Sequence, residues 1–192
     1  MESMTMPIKD RKVKGSLLID YARLIKRNKD RHWEKYLTKE DMEIINRRVL
    51  ASIWYPYETF RRCGLATFHE IAGGNLDLVR AFGRASAEYL AKDIYKTTLG
   101  GRDPVKAILN FSNLRRQFFN YDSTRFEKIG DKHLKHIINP TPDLEGVEVY
   151  TVQIIGTMER LIEINGGKNP KVVLLKKQWA GDAITEIDLA WE

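Results

Sequence analysis

Four histidines and one cysteine are the side chains here best suited to metal or nucleophilic chemistry: His32, His69, His133, His136 and Cys63. A metal site needs several such ligands converging on one point. His133 and His136 lie three apart. On a helix that spacing brings two imidazoles together; on a strand it sends them to opposite faces. Leu134, His136 and Ile138 alternate, which predicts a strand, so His136 is expected on an apolar face and not as a ligand. His69 adjoins Glu70, and adjacent helix positions do not face each other. Cys63 would need a base to act as a nucleophile, and His69, six residues on, is poorly aligned with it along a helix. The expectation is a small buried hydrophobe. There is no nucleophile elbow and no glycine-rich phosphate loop. Gly73-Gly74, Gly100-Gly101 and Gly166-Gly167 each follow a helical pattern and read as helix stops. No acid–base pair is legible, so no catalytic residue, metal or cofactor is assigned and the chain is not expected to be an enzyme.

The elements that must carry these residues follow from periodicity. Leu17, Leu18, Tyr21, Leu24 and Ile25 recur at helical spacing from Ser16. Thr38, with Asp41 three residues later, can cap a second helix. Pro56 suits the first position of a third. The spacing then predicts one long helix over Leu76 to Leu99, with Leu76, Val79, Phe82, Gly83, Ser86 and Leu90 in its buried stripe. Asp103-Pro104 opens another, expected to end before the aromatic stretch Arg115 to Tyr121. From Thr124 the period changes to two. A hairpin turning at Gly130-Asp131, a break at Pro140 and Pro142, a helix over Leu144 to Asn165 and a second hairpin turning at Ala180-Gly181-Asp182 complete the chain. The predicted fold class is α+β: helices in the N-terminal two thirds packed on a four-stranded antiparallel sheet of two hairpins, with a further helix between the hairpins.

Composition limits the function classes. A 43% apolar chain of this length can build a core without staples, and a lone cysteine excludes a disulfide scaffold. Residues 1–12 read as a flexible basic arm and 13–192 as a single domain. The formal charge of +6 is modest and partly localised, in Lys9, Arg11, Lys12 and Lys14 and in Lys26, Arg27, Lys29 and Arg31. These groups suit nucleic acid, an anionic surface or simply a solvated helix end and a loose N-terminal arm. Aspartates intersperse both groups and neither carries a nucleic-acid motif, so nucleic acid is not an expected partner. No signal-peptide core and no membrane-length apolar run is present, which predicts a cytoplasmic protein with no transmembrane segment.

One feature remains. Aromatic residues gather around a helix rich in small side chains. Phe82, Ser86, Tyr89, Phe111 and Phe118 are the candidate lining of an internal apolar ligand pocket between the long helix and the following one, with Gly83 and Ser86 opening the space. The competing reading is an ordinary packed core.

Several phrases, in order, resemble one superfamily. They are Val13-Lys14-Gly15-Ser16-Leu17, Trp54-Tyr55-Pro56, Leu78-Val79-Arg80 with Gly83-Arg84, Arg115-Arg116-Gln117-Phe118-Phe119, Gly156-Thr157-Met158-Glu159-Arg160-Leu161, and Gly181-Asp182 with Trp191. The superfamily is the ligand-binding fold shared by heme-nitric-oxide-binding domains, four-vinyl-reductase-like domains and Golgi-tethering subunits. The chain most resembles a paralogous family abundant in myxobacteria. The resemblance implies a sensory or adaptor module with a small, often apolar, ligand, and a protein partner or homodimer. Heme-binding relatives use an axial histidine. Neither the long helix nor the next one contains a histidine, so heme is not expected. Cysteines that many four-vinyl-reductase-like domains place near the last hairpin turn are absent from Lys176 to Glu186. The alternatives are a scaffold that dimerises through helix faces without a ligand, and an enzyme acting on a hydrophobic small molecule.

Overall fold

The computed structural model describes residues 6–122, 124–141 and 143–192. Pro142, expected with Pro140 to break the chain, and residues 1–5 of the expected arm lie outside them. The chain divides into two compact units. The first comprises Met1–Asn75 and Arg115–Asp122; the second comprises Leu76–Leu114 and Ser123–Glu192.

In the first unit, a 3-10 turn at Ile8–Asp10 leads into strand β1 (Lys12–Lys14) and helix α1 (Gly15–Arg27). Residues 8–12, expected within a flexible arm, are folded here, and Arg11 is buried with its guanidinium over the Tyr121 ring. Helix α2 (Lys39–Asn46) has the reciprocal cap that its sequence implied. The Asp41 N–H donates to Thr38 Oγ1 at 3.2 Å, and the Thr38 N–H donates to Asp41 Oδ2 at 2.9 Å. Strand β2 (Trp54–Pro56) pairs antiparallel with β1. Three-residue strands have no readable period, so the sequence did not announce this sheet. Pro56 then caps α3 (Tyr57–Glu70) instead of occupying its first turn. Leu18, Ala22, Ile25, Trp33, Leu37, Ile45, Cys63 and Ala66 form this unit's core.

The second unit opens with α4 (Leu76–Tyr89). The long helix expected here is interrupted: residues Leu90–Ile94 form a π-helical turn, and a short α5 (Lys96–Leu99) follows. Helix α6 (Pro104–Phe118) is capped by Asp103, whose Oδ1 accepts the Lys106 N–H at 3.0 Å. It runs on into the aromatic stretch that was expected to leave the helix.

Strands β3 (Thr124–Gly130) and β4 (His133–Ile138), helix α7 (Val147–Ile164), and strands β5 (Lys171–Lys176) and β6 (Thr185–Ala190) follow. The sheet is antiparallel throughout, in the order β3-β4-β6-β5, so the two hairpins join through β4 and β6. The α+β class and the four-stranded sheet are therefore as the sequence implied. The β5 strand stops early. A 3-10 turn at Gln178–Ala180 and Gly181, at φ 103°, form the reversal. The buried row Leu134, His136 and Ile138 faces one side, as the alternation required, and His136 stacks on Phe126 with ring centroids 4.2 Å apart.

Candidate functional site

The closest helix packing in the second unit is between α4 and α7, and two glycines make it. A Cβ built on Gly83 would lie 2.0 Å from the Gln153 carbonyl oxygen, and one built on Gly156 would lie 2.1 Å from that of Arg80. The helices thus touch backbone to backbone, each notched opposite the other. Thr157 Oγ1 bridges them, 3.2 Å from the Gly83 carbonyl and 3.1 Å from that of Gln153. Gly83 was expected to open space for a ligand. Instead, α7 fills that space.

Charged side chains flank the notch. Arg80 binds Glu159 with two N–H groups, one at 3.0 Å to Oε2. Arg84 donates to both Glu163 carboxylate oxygens, at 2.9 and 2.8 Å. Arg160 reaches Glu163 at 2.9 Å and Glu88 at 3.2 Å. Glu159 is buried, and its charge is matched by paired, geometrically fixed arginines. Burial pushes the Glu163 carboxyl up, but hydrogen bonds from Arg84 and Arg160 outweigh this and hold it below its ordinary value.

The opposite side of α4 is apolar and exposed. Leu78, Phe82 and Tyr89 are 53%, 52% and 58% exposed. Phe82 was expected in the buried stripe, which in the structure consists of Val79, Gly83 and Ala87. The stripe turned because α7 approaches over the glycine and alanine side, where the backbone can come close. Of the other candidate lining residues, Ser86 and Phe111 are half-buried in this unit, and Phe118 is half-buried in the first unit.

The nucleophile and ligand candidates fall elsewhere. Cys63 is fully buried, and its thiol is pushed up to about 12 by burial, reinforced by the Asp41 charge. Native protein is expected to react with a thiol reagent far more slowly than unfolded protein. Equal labelling rates with and without denaturant would disprove the burial. Asp41 is held by Arg62 at 2.6 and 3.0 Å and by the Thr59 hydroxyl at 2.7 Å. Burial raises its carboxyl, yet Arg62, the Thr38 N–H and Thr59 together bring it below the ordinary carboxylate value. This cluster was not singled out from the sequence, and only the Thr38–Asp41 cap pointed to it. Among the described residues, no group of three or more His, Cys, Asp or Glu is arranged to hold a metal ion.

No family model matches the sequence, and no curated protein matches it. Solved structures do. An H-NOX protein from S. oneidensis in the Fe(II)NO ligation state superposes with a TM-score of 0.60 at 10% identity, covering 93% of this chain and 99% of that one. Unliganded Fe(II) H-NOX from K. algicida gives 0.59 at 12% identity, over 93% and 96%. A point mutant of T. Tengcongensis H-NOX gives 0.58 at 10% identity, over 93% and 97%. The chain therefore has an H-NOX-like fold, in agreement with the resemblance read from its sequence.

Those neighbours raise the question of heme. An axial ligand to heme iron comes chiefly from His, Cys, Met or Tyr. Residues 76–118, which include α4 and α6, contain no His, Cys or Met; of the four types they hold only Tyr89 and Tyr95. His133 Nε2 lies 2.7 Å from Asp188 Oδ1, His136 is packed inside the sheet face, and His69 stacks on Tyr36. The donor set does not fit a histidine-held heme on these helices. No described helix is long and apolar enough to cross a membrane.

Proposed function

We propose that the chain is a non-enzymatic sensory or adaptor module that holds a small apolar ligand against the outer face of α4, without heme. The observation that supports this reading most is the stripe Leu78, Phe82 and Tyr89, exposed on a helix whose other side is already occupied by α7. Large apolar side chains aligned on one face gain about 25 cal/mol per Å² when covered. The H-NOX-like fold supports it too, since the neighbours are described by the ligation state of their iron. Ser86, half-buried on α4, borders this stripe. Cytoplasmic residence and a signalling role belong to this proposal.

The same stripe also suits a second copy of the chain, which is the scaffold alternative. One variant separates the two. Under the ligand reading, solvent extraction of purified native protein releases an apolar compound detectable by mass spectrometry. Ser86→Trp abolishes its retention with little change in melting midpoint. Under the scaffold reading no compound is extracted, and light scattering gives a dimer mass that falls in the variant. If Ser86→Trp instead costs roughly 1–3 kcal/mol, with no ligand and no dimer, the site is packed core and both readings fail.

A further inference from the structure

We propose that the first unit docks peripherally on an anionic lipid bilayer through the loop at residues 47–54. The loop presents Leu50, Ile53 and Trp54 to solvent, 45%, 47% and 39% exposed. It is not a slack segment. The Gly15 and Ser16 N–H groups, at the start of α1, donate to the Ile53 and Ala51 carbonyls at 2.9 and 3.2 Å. The Leu50 N–H donates to Tyr55 Oη at 3.0 Å, and the Ile53 N–H closes a turn onto the Leu50 carbonyl. The backbone is thus tied down while its apolar side chains point out. Gly15 is required for this, because a Cβ there would sit 2.1 Å from the Leu50 carbonyl oxygen.

Charge selects the occupant. Lys14 donates to the Ser52 carbonyl at 2.8 Å and places its ammonium 4.2 Å from the centre of the Trp54 ring. Lys26 donates to the Arg47 carbonyl at 3.2 Å, and Arg47, Arg48 and Arg27 are exposed. Glu43 lies 3.8 Å from Arg47, a solvent-exposed pair that leaves the cationic character of the rim in place. The whole unit shares the bias. It holds 17 Lys and Arg against 11 Asp and Glu, so 17 − 11 = +6, the entire formal charge of the chain, while the second unit balances at 15 and 15. A tryptophan with a lysine beside it, two aliphatic side chains and a rim of arginines match the layered chemistry of an anionic interface: apolar groups below the headgroups, cations among them. Each cation near such a surface strengthens binding severalfold. A nucleic acid would use the cations but leave Leu50 and Ile53 without a role.

The test is co-sedimentation of the full chain with vesicles. One set is phosphatidylcholine alone and the other equimolar phosphatidylcholine and phosphatidylserine, at low ionic strength. Binding is expected only to the anionic set, weakened by added salt. Leu50→Ser with Ile53→Ser is expected to weaken it about tenfold or more, and Arg47→Glu with Arg48→Glu by at least as much. Emission should shift to the blue on binding, and the shift should be smaller in Trp54→Phe. All substituted positions of the two double variants are exposed, and unchanged far-ultraviolet circular dichroism checks that they fold. The Arg pair keeps the test decisive if the apolar pair does not fold. Failure to sediment with anionic vesicles overturns the proposal. So does binding indifferent to the Leu50 and Ile53 changes, or duplex DNA binding that only the Arg pair abolishes.

Discussion

Replacing Trp191 by alanine is expected to cost about 3–5 kcal/mol, seen as a fall of about 10 °C in melting midpoint. The side chain is buried one residue beyond β6, continuing the inward row Thr185, Ile187 and Leu189. Its N–H donates to the Lys132 carbonyl at 3.2 Å, tying this end of the chain to the β3–β4 turn. Beside it, Lys168 and Glu192 exchange backbone hydrogen bonds of 2.9 and 2.8 Å. The ring fits against Gly167, where a Cβ would approach its Cδ1 to 2.8 Å. Truncation leaves a cavity between backbones that cannot collapse onto it. An unchanged midpoint in thermal unfolding would show that Trp191 is not part of the packed fold.

Gly156→Ala is the second large effect, and two opposing magnitudes decide its sign. Within a helix, alanine is favoured over glycine by about 1 kcal/mol. Against that, the new methyl would meet the Arg80 carbonyl oxygen at 2.1 Å, and that atom belongs to the α4 backbone. Relief requires the helices to separate, which breaks the Thr157 bridge and stretches the Arg80–Glu159 pair. Overpacking of this kind costs about 3 kcal/mol. The net expectation is a loss of about 2 kcal/mol. Gly64→Ala is the control: its Cβ would find only the Tyr21 hydroxyl, at an ordinary 3.6 Å, so stability should hold or rise. Urea titration of both variants checks the contrast. If the two behave alike, the interhelical notch is wrong.

The fold was largely legible because its signals are local. Thr38 with Asp41, Asp103 with Pro104, and the alternation through His136 each act within a few residues. The site was less legible because its determinants are tertiary. Small residues in α4 imply either a close neighbour or an open space, and nothing near Gly83 says which. The answer lies in Gly156, far away along the chain. The choice of α7 as partner turned Phe82 outward. The Arg–Glu pairs across the notch span a similar separation, and no short motif encodes them. The π-helical turn was hidden as well, since Leu90 to Ile94 continues the apolar pattern of α4.

The paired notches also fix how the second unit can move. Sliding α4 along α7 would carry each glycine off its opposing carbonyl and bring a side chain into its place. It would also unseat Arg80 and Arg84 from their carboxylates. The paired notches and ion pairs therefore oppose shear between α4 and α7. A displacement of α4 by an occupant of its outer face would thus carry α7 with it, and the chain enters α7 from β4 and leaves it toward β5.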